Sequence, residues 1–169
     1  MKIAVLGYSG SGKSTLARAL GERYGIPVLH MDRVHHAPGW QVRDREEARR
    51  MVLHVMEGPD WVIDGNYTKF FYERRMAEAD AIIFLALPRL SCFFRAVRRF
   101  FRYRGQTRAD MAEGCTEKMD WEFICWLLWN GRGRQKRRWM EAGLREHLDK
   151  VTVLKSQRAI DAYWEGRSC

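Results

Sequence analysis

Short apolar runs alternate with helical patterns along the chain. Five runs have the length of buried parallel strands, and they lie at 2–6, 27–29, 61–64, 81–87 and 151–154. Between them, apolar residues recur at intervals of three and four, as on one face of a helix. This alternation predicts an α/β fold, with helices on both faces of a mostly parallel sheet and ligands at the carboxyl ends of the strands.

Two of the helical segments carry further signals. Asp44 and Glu47 have the spacing of a capping box ahead of a helix. Residues 89–103, which follow the strand-ending Pro88, divide into an apolar and a basic stripe, so we expect the apolar stripe to pack on the protein. The apolar stripe contains Phe93, Phe94, Val97, Phe100 and Phe101, and the basic stripe contains Arg95, Arg98, Arg99 and Arg102.

Two polar regions separate these patterns. Residues 30–40 form an irregular polar and aromatic loop that opens a predicted acceptor-binding region at about 30–60. A second polar segment, at about 104–119, precedes an aromatic helix at 120–129 and is predicted to be a lid.

The stretch GYSGSGKST, residues 7–15, directly follows the first strand. It matches the phosphate-binding pattern G-x-x-x-x-G-K-[ST], with a strand before it and a helix after it as that motif requires. Lys13 is predicted to reach the β- and γ-phosphates, and the Ser14 hydroxyl to bind Mg²⁺. The predicted nucleotide contacts are Gly7, Ser9, Gly10, Ser11, Gly12, Lys13, Ser14, Thr15 and, after the last strand, Arg158.

Composition narrows the class of protein. A chain of 169 residues that is 46% hydrophobic has the size of one domain, 1–169. Its net charge of +9 comes largely from arginine, which favours phosphorylated partners such as nucleotides, polyphosphates or nucleic acid. Long apolar runs and a secretory leader are both missing, and the four cysteines (Cys92, Cys115, Cys125, Cys169) are widely spaced. We therefore expect a soluble cytoplasmic protein with reduced thiols and no membrane partner.

Carboxylates after two strands suggest phosphoryl transfer. The chain lacks the N-K-x-D element of GTPases and is too small for the accessory parts of motor ATPases, which favours a small kinase. Asp64 would hold Mg²⁺, unless it is only a cap or turn residue. Asp32 would orient or deprotonate an acceptor hydroxyl, unless it is a turn residue.

Several further side chains are candidates for the substrate and the lid. His35, Trp40, Asn66 and Tyr67 are predicted to contact a small-molecule phosphoryl acceptor, although buried packing would also explain the two aromatic residues. A metal site made of His30, Asp32, His35 and His36 is disfavoured because loop spacing fixes no ligand geometry. Among the arginines that flank the lid, which include Arg132 and Arg134, we choose Arg104 and Arg108 as catalytic; the alternative is a solvated helix face.

Over its whole length the chain resembles the DNA topology modulation proteins, small bacterial P-loop proteins related to adenylate kinase. The stretches that carry this resemblance are GYSGSGKSTLA, LHMDRVHHAPGW, WVIDGNY, RYRGQTRADMAEGC and DWEFICWLLW. The resemblance implies a nucleoside-kinase-like fold with a five-stranded parallel sheet in the order 2-3-1-4-5, and ATP as phosphoryl donor. The family's name implies an influence on DNA supercoiling.

One departure bears on the acceptor. Adenylate kinases continue the third strand as D-G-F-P-R, where the arginine contacts the acceptor's phosphate, whereas this chain continues as Asp64-Gly65-Asn66-Tyr67-Thr68. Either Lys69, Arg74 or Arg75 substitutes, or the acceptor is an unphosphorylated nucleoside or other small alcohol.

Two functions are consistent with these features. The first is an ATP- and Mg²⁺-dependent phosphotransferase acting on a nucleotide, nucleoside or similar metabolite. The second is an ATP-binding regulator of DNA topology that binds nucleic acid through its arginine-rich surface. The oligomeric state is left open.

Overall fold

A five-stranded parallel sheet forms the centre of the computed structural model, which describes residues 1–166. The strands are β1 (Lys2–Gly7), β2 (Val28–His30), β3 (His36–Ala37), β4 (Gln41–Val42), β5 (Trp61–Asp64), β6 (Ala81–Leu85) and β7 (Val151–Leu154). The sheet has the order β2-β5-β1-β6-β7, while β3 and β4 form a separate antiparallel pair. Counted along the chain without that pair, the order is 2-3-1-4-5, as predicted.

Eight α-helices surround the sheet within these residues. They are α1 (Lys13–Tyr24), α2 (Met31–His35), α3 (Arg45–Met56), α4 (Tyr72–Glu78), α5 (Arg89–Tyr103), α6 (Trp121–Leu128), α7 (Arg134–Arg145) and α8 (Gln157–Trp164). Short 3₁₀ turns occur at Pro38–Trp40, Asn130–Arg132 and Leu148–Lys150.

Alternate residues of each strand fill two cores, one on each face of the sheet. In β1, Ala4 and Leu6 pack on one side with side chains of α3, α4 and α7, whereas Ile3 and Val5 pack on the other side with α1 and α5. This two-sided burial explains why the strands read as continuous apolar runs. It also directs the carboxyl ends of all five strands to one edge.

Residues 30–40 are more regular than the predicted loop. Met31 and Val34 are fully buried, and their spacing of three places them on the inner face of the short helix α2. The chain then forms β3, a 3₁₀ turn and β4. The sequence did not indicate helix α2 because the polar residues of this segment outnumber its two buried apolar residues, Met31 and Val34.

Helix α5 packs through a face different from the predicted one. Its buried residues are Cys92 and Ala96, while Phe94 and Phe101 are 65% and 68% exposed. The small side chains let α5 approach the phosphate loop, as the contact of the Cys92 carbonyl with Gly10 shows. The expectation that the phenylalanine stripe forms the packing face was therefore wrong for Phe94 and Phe101, whereas Phe93 is partly buried against the core.

Side-chain caps begin two of the helices as their sequences indicate. Asp44 accepts hydrogen bonds from the backbone N–H groups of Glu46 and Glu47, each at 3.0 Å. The reciprocal half of the capping box is not formed, since the Glu47 carboxylate pairs with Arg43 instead. Asp120 caps α6 by accepting from the Phe123 N–H at 2.8 Å.

Helices in the described part of the chain are all too short or too polar to cross a membrane. Cys92, Cys115 and Cys125 are free thiols, and the first two are buried. Cys169 lies outside the described residues.

Candidate functional site

The loops after β1, β2 and β5 converge at the carboxyl edge of the sheet. His30 is paired in register with Asp64, and Asp64 with Val5, two residues before Gly7. Because these three strands are neighbours, the segments 7–14, 30–36 and 64–67 lie around one site, the arrangement expected of ligand sites in parallel sheets.

The loop after β1 depends on glycine at two close approaches. Gly7 has a φ of 143° and Gly10 a φ of 73°. A Cβ on Gly7 would lie 2.5 Å from the Leu85 carbonyl oxygen, and one on Gly10 would lie 2.6 Å from that of Cys92. Only glycine fits both positions, so the loop packs tightly on β6 and α5 before α1 begins at Lys13.

One polar atom in this loop has no protein partner. The Ser11 hydroxyl is fully buried and lacks a hydrogen-bond partner among the described residues. Buried polar groups are normally paired, and backbone N–H groups at the start of a helix favour anions. The loop therefore fits the phosphates of a nucleotide.

The oxygen atoms at the site also suit a magnesium ion. The Ser14 hydroxyl and the Asp64 carboxylate are hard donors of the kind that bind Mg²⁺ together with substrate phosphates. Within residues 1–166, no group of three or more His, Cys, Asp or Glu side chains forms a metal site of its own. An ion at this position would thus be shared with a bound nucleotide.

Lys13 faces both carboxylates that the sequence predicted for catalysis. Its ammonium group donates to the Tyr8 carbonyl at 3.0 Å. Burial lowers the pKa of Lys13, while the charges of Asp32 and Asp64 act in the opposite direction. The predicted Lys13, Asp32 and Asp64 are therefore close enough to interact.

Asp64 has an imidazole partner. Its Oδ1 lies 3.1 Å from Nδ1 of His30, and the carboxylate is almost fully buried. Burial alone would lower the pKa of His30, but the hydrogen bond and the charge of Asp64 outweigh it, so the pKa is raised. The pair orients Asp64 at the end of β5.

Asp32 is held by a phenol. The Tyr67 hydroxyl donates to Asp32 Oδ1 at 2.8 Å. Burial, followed by the charge of Asp32, raises the pKa of Tyr67, which keeps the phenol protonated as a donor. The second Asp32 oxygen makes no hydrogen bond within residues 1–166, and the side chain is half-buried at the site.

A buried arginine fixes the segment that carries Tyr67. Arg75 is fully buried, and its two Nη groups donate to the carbonyls of Gly65 at 3.2 Å and Tyr67 at 2.7 Å. Burial lowers the pKa of Arg75 to about 10. Arg75 thus serves the backbone after β5 and is not directed at the acceptor side.

Asn66 connects this segment to the phosphate loop. Its Oδ1 accepts from the Gly7 N–H at 3.1 Å, and its Nδ2 donates to the Gly7 carbonyl at 2.7 Å. The sequence suggested that Asn66 contacts the acceptor, but here both ends of its amide are used to hold the loop.

The other two predicted acceptor residues occupy different surroundings. The His35 ring lies 5.0 Å from the ring of Tyr67 and next to the site, and burial lowers the pKa of His35. Trp40 instead contacts the lid, since its backbone N–H donates to Cys115 Sγ at 3.2 Å and its indole N–H to the Thr116 carbonyl at 3.1 Å.

Residues 104–119, the segment predicted to be a lid and called the lid below, contact Trp40 and, through charged side chains, α5. Met111, Ala112 and Cys115 form a small apolar cluster with Trp40. A single bridge joins Thr107 to Thr116. In this structure the segment therefore packs on residues 37–40.

Four charged side chains connect the lid to α5, and we call them the lid ion cluster: Arg99, Arg108, Asp110 and Glu117. Arg108 binds Asp110 through Nε at 2.8 Å and Nη2 at 2.6 Å, and Glu117 through Nη1 at 2.6 Å. Arg99 Nε donates to Glu117 at 2.7 Å. Ser14 is among the groups that lower the pKa of Asp110, which indicates that the cluster lies near the phosphate loop.

The remaining candidate arginines differ in how far they are exposed to solvent. Arg104 and Arg134 are exposed. Arg132 is partly buried, donates to the Leu87 carbonyl at 2.8 Å and lies over the Tyr8 ring at 3.9 Å. Of the two arginines chosen as catalytic, only Arg108 lies at the site.

A groove of about 330 Å³ adjoins the phosphate loop between α1 and α8. Its lining includes Gly12, Thr15, Arg95, Gln157 and Trp164. Arg95 donates to the Ser11 carbonyl at 3.2 Å and also pairs with Gln157. The predicted nucleotide contact Arg158 is exposed and does not line the groove, whereas its neighbour Gln157 does.

Sequence patterns did not single out Asp110, Glu117 or the pairing of His30 with Asp64. Glu117 and Arg108 are nine residues apart in an irregular segment, where no periodicity indicates which side chains face inwards. Arg99 belongs to the predicted basic stripe of α5. Because that stripe was expected to face outwards, the inward position of Arg99 was not predicted. No local signal marks these partners.

A scan against models of protein families matches none to this chain, and a search of curated proteins finds no significant match. Solved structures do match. Shikimate kinase from Acinetobacter baumannii, in complex with shikimate, aligns over 97% of this chain and 89% of its own, at 15% identity and a TM-score of 0.56. Deoxyadenosine kinase from M. mycoides, with the products dCMP and dCDP bound, aligns over 98% of both chains, at 13% identity and a TM-score of 0.52.

These similarities concern the fold. The chain has the α/β fold of P-loop kinases, with the parallel sheet and flanking helices that the sequence predicted. Both solved proteins are kinases of small molecules.

Proposed function

We propose that this protein is an ATP- and Mg²⁺-dependent phosphotransferase whose acceptor is a small molecule with an uncharged hydroxyl group. The observation that carries the proposal is the strand register, which places the segments that carry Lys13, Asp32 and Asp64 at one edge of the sheet, beside a phosphate loop with an unpaired buried hydroxyl. A P-loop kinase fold supports it. Resemblance to the DNA topology modulation proteins is consistent with the nucleotide site and leaves the acceptor open.

The residues have distinct roles in this proposal. The loop from Gly7 to Ser14 and the Lys13 ammonium would hold the nucleotide's phosphates, and Ser14 with Asp64 would hold Mg²⁺. Bound MgATP would supply the phosphoryl group. Asp32, fixed by the Tyr67 hydroxyl, would orient the acceptor hydroxyl and take its proton.

The cations near Asp32 favour an uncharged acceptor, because the two arginines among them are already engaged within the protein. Arg75 is buried on backbone carbonyls, and Arg74 pairs with Glu78 at 2.5 Å. Of Lys69, Arg74 and Arg75, only Lys69 makes no hydrogen bond or ion pair within residues 1–166; it is exposed, and its charge acts on His35. A phosphorylated acceptor would meet the carboxylates of Asp32 and Asp64 without a matching arginine, which is unfavourable.

Acceptor assays test this proposal. ADP release is measured with nucleosides, nucleoside monophosphates and uncharged small alcohols. We expect turnover with one uncharged hydroxyl compound and little with AMP. Asp32→Asn should reduce kcat about 100- to 10,000-fold with unchanged ATP affinity, because the proton acceptor is lost. Asp149→Asn, at an exposed position far along the chain, is the matched control.

Two results would overturn parts of the proposal. Robust phosphorylation of AMP would contradict the uncharged acceptor. Unchanged turnover in Asp32→Asn would contradict the role of that carboxylate.

Nucleic-acid binding is a second candidate, favoured by the exposed arginines Arg98, Arg102 and Arg104 at the outer face and end of α5. Binding of this kind weakens steeply with salt because counterions are released from the phosphates. A gel-shift series across salt with wild type and the double variant Arg98→Glu, Arg102→Glu tests it. Absence of binding at physiological ionic strength would leave these arginines as a solvated surface.

A further inference from the structure

Two carboxylates of the lid hold the same arginine. Arg108 uses Nε and Nη2 for Asp110 and Nη1 for Glu117, at distances between 2.6 and 2.8 Å. Its side chain is only 10% exposed. Three of the five N–H groups are therefore engaged inside the protein, and Asp110 occupies the edge formed by Nε and Nη2, so an anion that binds this edge would replace Asp110.

The two carboxylates differ in their other contacts. Glu117 also accepts from Arg99 and so joins two cations, one on α5 and one on the lid. Asp110 contacts only Arg108 among the arginines, and Ser14 is among the groups that lower its pKa. Glu117 thus joins two arginines, whereas Asp110 lies on Arg108 alone, near the phosphate loop.

Cations surround the loop on this side. Arg95 of α5 donates to the Ser11 carbonyl at 3.2 Å, and Arg99 follows one turn later on the same helix. The charge of Arg99 also contributes to lowering the pKa of Lys13. Three like charges at Lys13, Arg99 and Arg108 repel unless anions lie among them. Glu117 and Asp110 supply these anions in the present structure, and a polyphosphate would supply more.

We propose that Glu117 is a positioning residue that keeps Arg99 and Arg108 directed at the phosphate site, whereas Asp110 is an occupant that a polyphosphate displaces from Arg108. The inference rests on the proposed function, since it requires a nucleotide at the loop. The pair of N–H groups that Arg108 presents to Asp110 matches a phosphate equally well. A phosphate at Ser14 repels the Asp110 carboxylate and leaves Glu117, which does not touch the loop, in place.

The first test observes the arginines by NMR. In the ligand-free protein, Arg108 Nε–H reports on Asp110 and Arg99 Nε–H reports on Glu117, because each donates to that one carboxylate. We expect both signals to be protected from exchange with water. Asp110→Asn should expose Arg108 Nε–H and spare Arg99 Nε–H, and Glu117→Gln should expose Arg99 Nε–H. Addition of MgATP to wild type should shift Arg108 Nε–H far more than Arg99 Nε–H.

The second test measures MgATP affinity by calorimetry. Asp110→Asn should bind about tenfold more tightly, because a competing charged hydrogen bond is removed. Glu117→Gln should bind about tenfold more weakly, because the arginines lose the anion that holds them. Glu113→Gln, an exposed acid on the same lid, is the matched control and should equal wild type. A merely structural role for both acids would weaken binding in both variants.

The outcomes separate this inference from the proposed function. Equal affinities in all four proteins, or a loss in both Asp110→Asn and Glu117→Gln, would overturn the opposite roles of the two carboxylates while MgATP binding by wild type still supports the proposed function. No binding of MgATP by wild type would overturn both. Unprotected Arg108 and Arg99 signals in the ligand-free protein would overturn the lid ion cluster itself.

Discussion

The sheet edge and the lid present charged groups to the same phosphate loop, but they are held in different ways. At the sheet edge, Asp64 is part of β5, and neighbouring side chains are anchored to backbone, as Asn66 is to Gly7. The lid has one isolated bridge and is held by Trp40 and by the lid ion cluster.

This difference indicates which parts of the site are preformed. Strand register places His30 opposite Asp64 whether or not a ligand is bound. The contacts of the lid are between side chains that an anionic ligand can exchange, such as Arg108 with Asp110. Segments with few backbone contacts open more readily than a sheet, so we expect the lid to move while the edge stays fixed.

The largest expected effect comes from breaking the anchor at the sheet edge. Asn66→Ala removes both amide hydrogen bonds to Gly7, and we expect it to lower the free energy of unfolding by about 3 kcal/mol. Urea denaturation measures this. Thr68→Ala, two residues further along and exposed, should leave the midpoint unchanged. If Asn66→Ala lowered the free energy of unfolding no more than Thr68→Ala does, the loop would not depend on Asn66.

The sheet-edge part of the site could be predicted because its signals are local. The motif from Gly7 to Ser14 has a fixed spacing, and Asp32 and Asp64 stand directly after apolar strands. Asn66 and Trp40 were predicted as acceptor contacts, but their partners, Gly7 and the lid, are 59 and about 75 residues away in the chain. The lid ion cluster joins an irregular segment to α5, and no periodicity encodes such a pairing.

A second prediction concerns acid and the lid. Burial alone would raise the pKa of Asp110, but the hydrogen bonds and charge of Arg108 hold it at about 2, below the ordinary 3.8. A depressed folded-state pKa stabilises the protein above the unfolded value, and this stabilisation is lost as the pH falls from about 4 to 2. Its size is roughly 2 kcal/mol.

Measurement of the free energy of unfolding at a series of acidic pH values checks the contribution of Asp110. The difference in unfolding free energy between wild type and Asp110→Asn should shrink by that amount between pH 5 and about pH 2. A difference that does not change with pH would contradict the ion pair of Asp110 with Arg108.

The smallest expected effect lies at the attachment of the lid. Trp40→Phe removes the indole N–H bond to the Thr116 carbonyl while keeping an aromatic ring, at a cost of about 1 kcal/mol. Hydrogen exchange of amides in 104–119 should accelerate about fivefold, with β1 and β5 unchanged. Trp129→Phe, at an exposed position, is the control. Faster exchange across the whole sheet would show that lid and sheet open as one unit.

Calorimetric titration with MgATP tests the central claim, that the loop at 7–15 is a nucleotide site. Wild type should bind, and Lys13→Ala should bind about 100-fold more weakly with unchanged stability of the sheet, because a cation that faces the phosphates is lost. Arg18→Ala, exposed on the same helix, should bind like wild type. Equal affinity of wild type and Lys13→Ala, or no binding by either, would contradict the account.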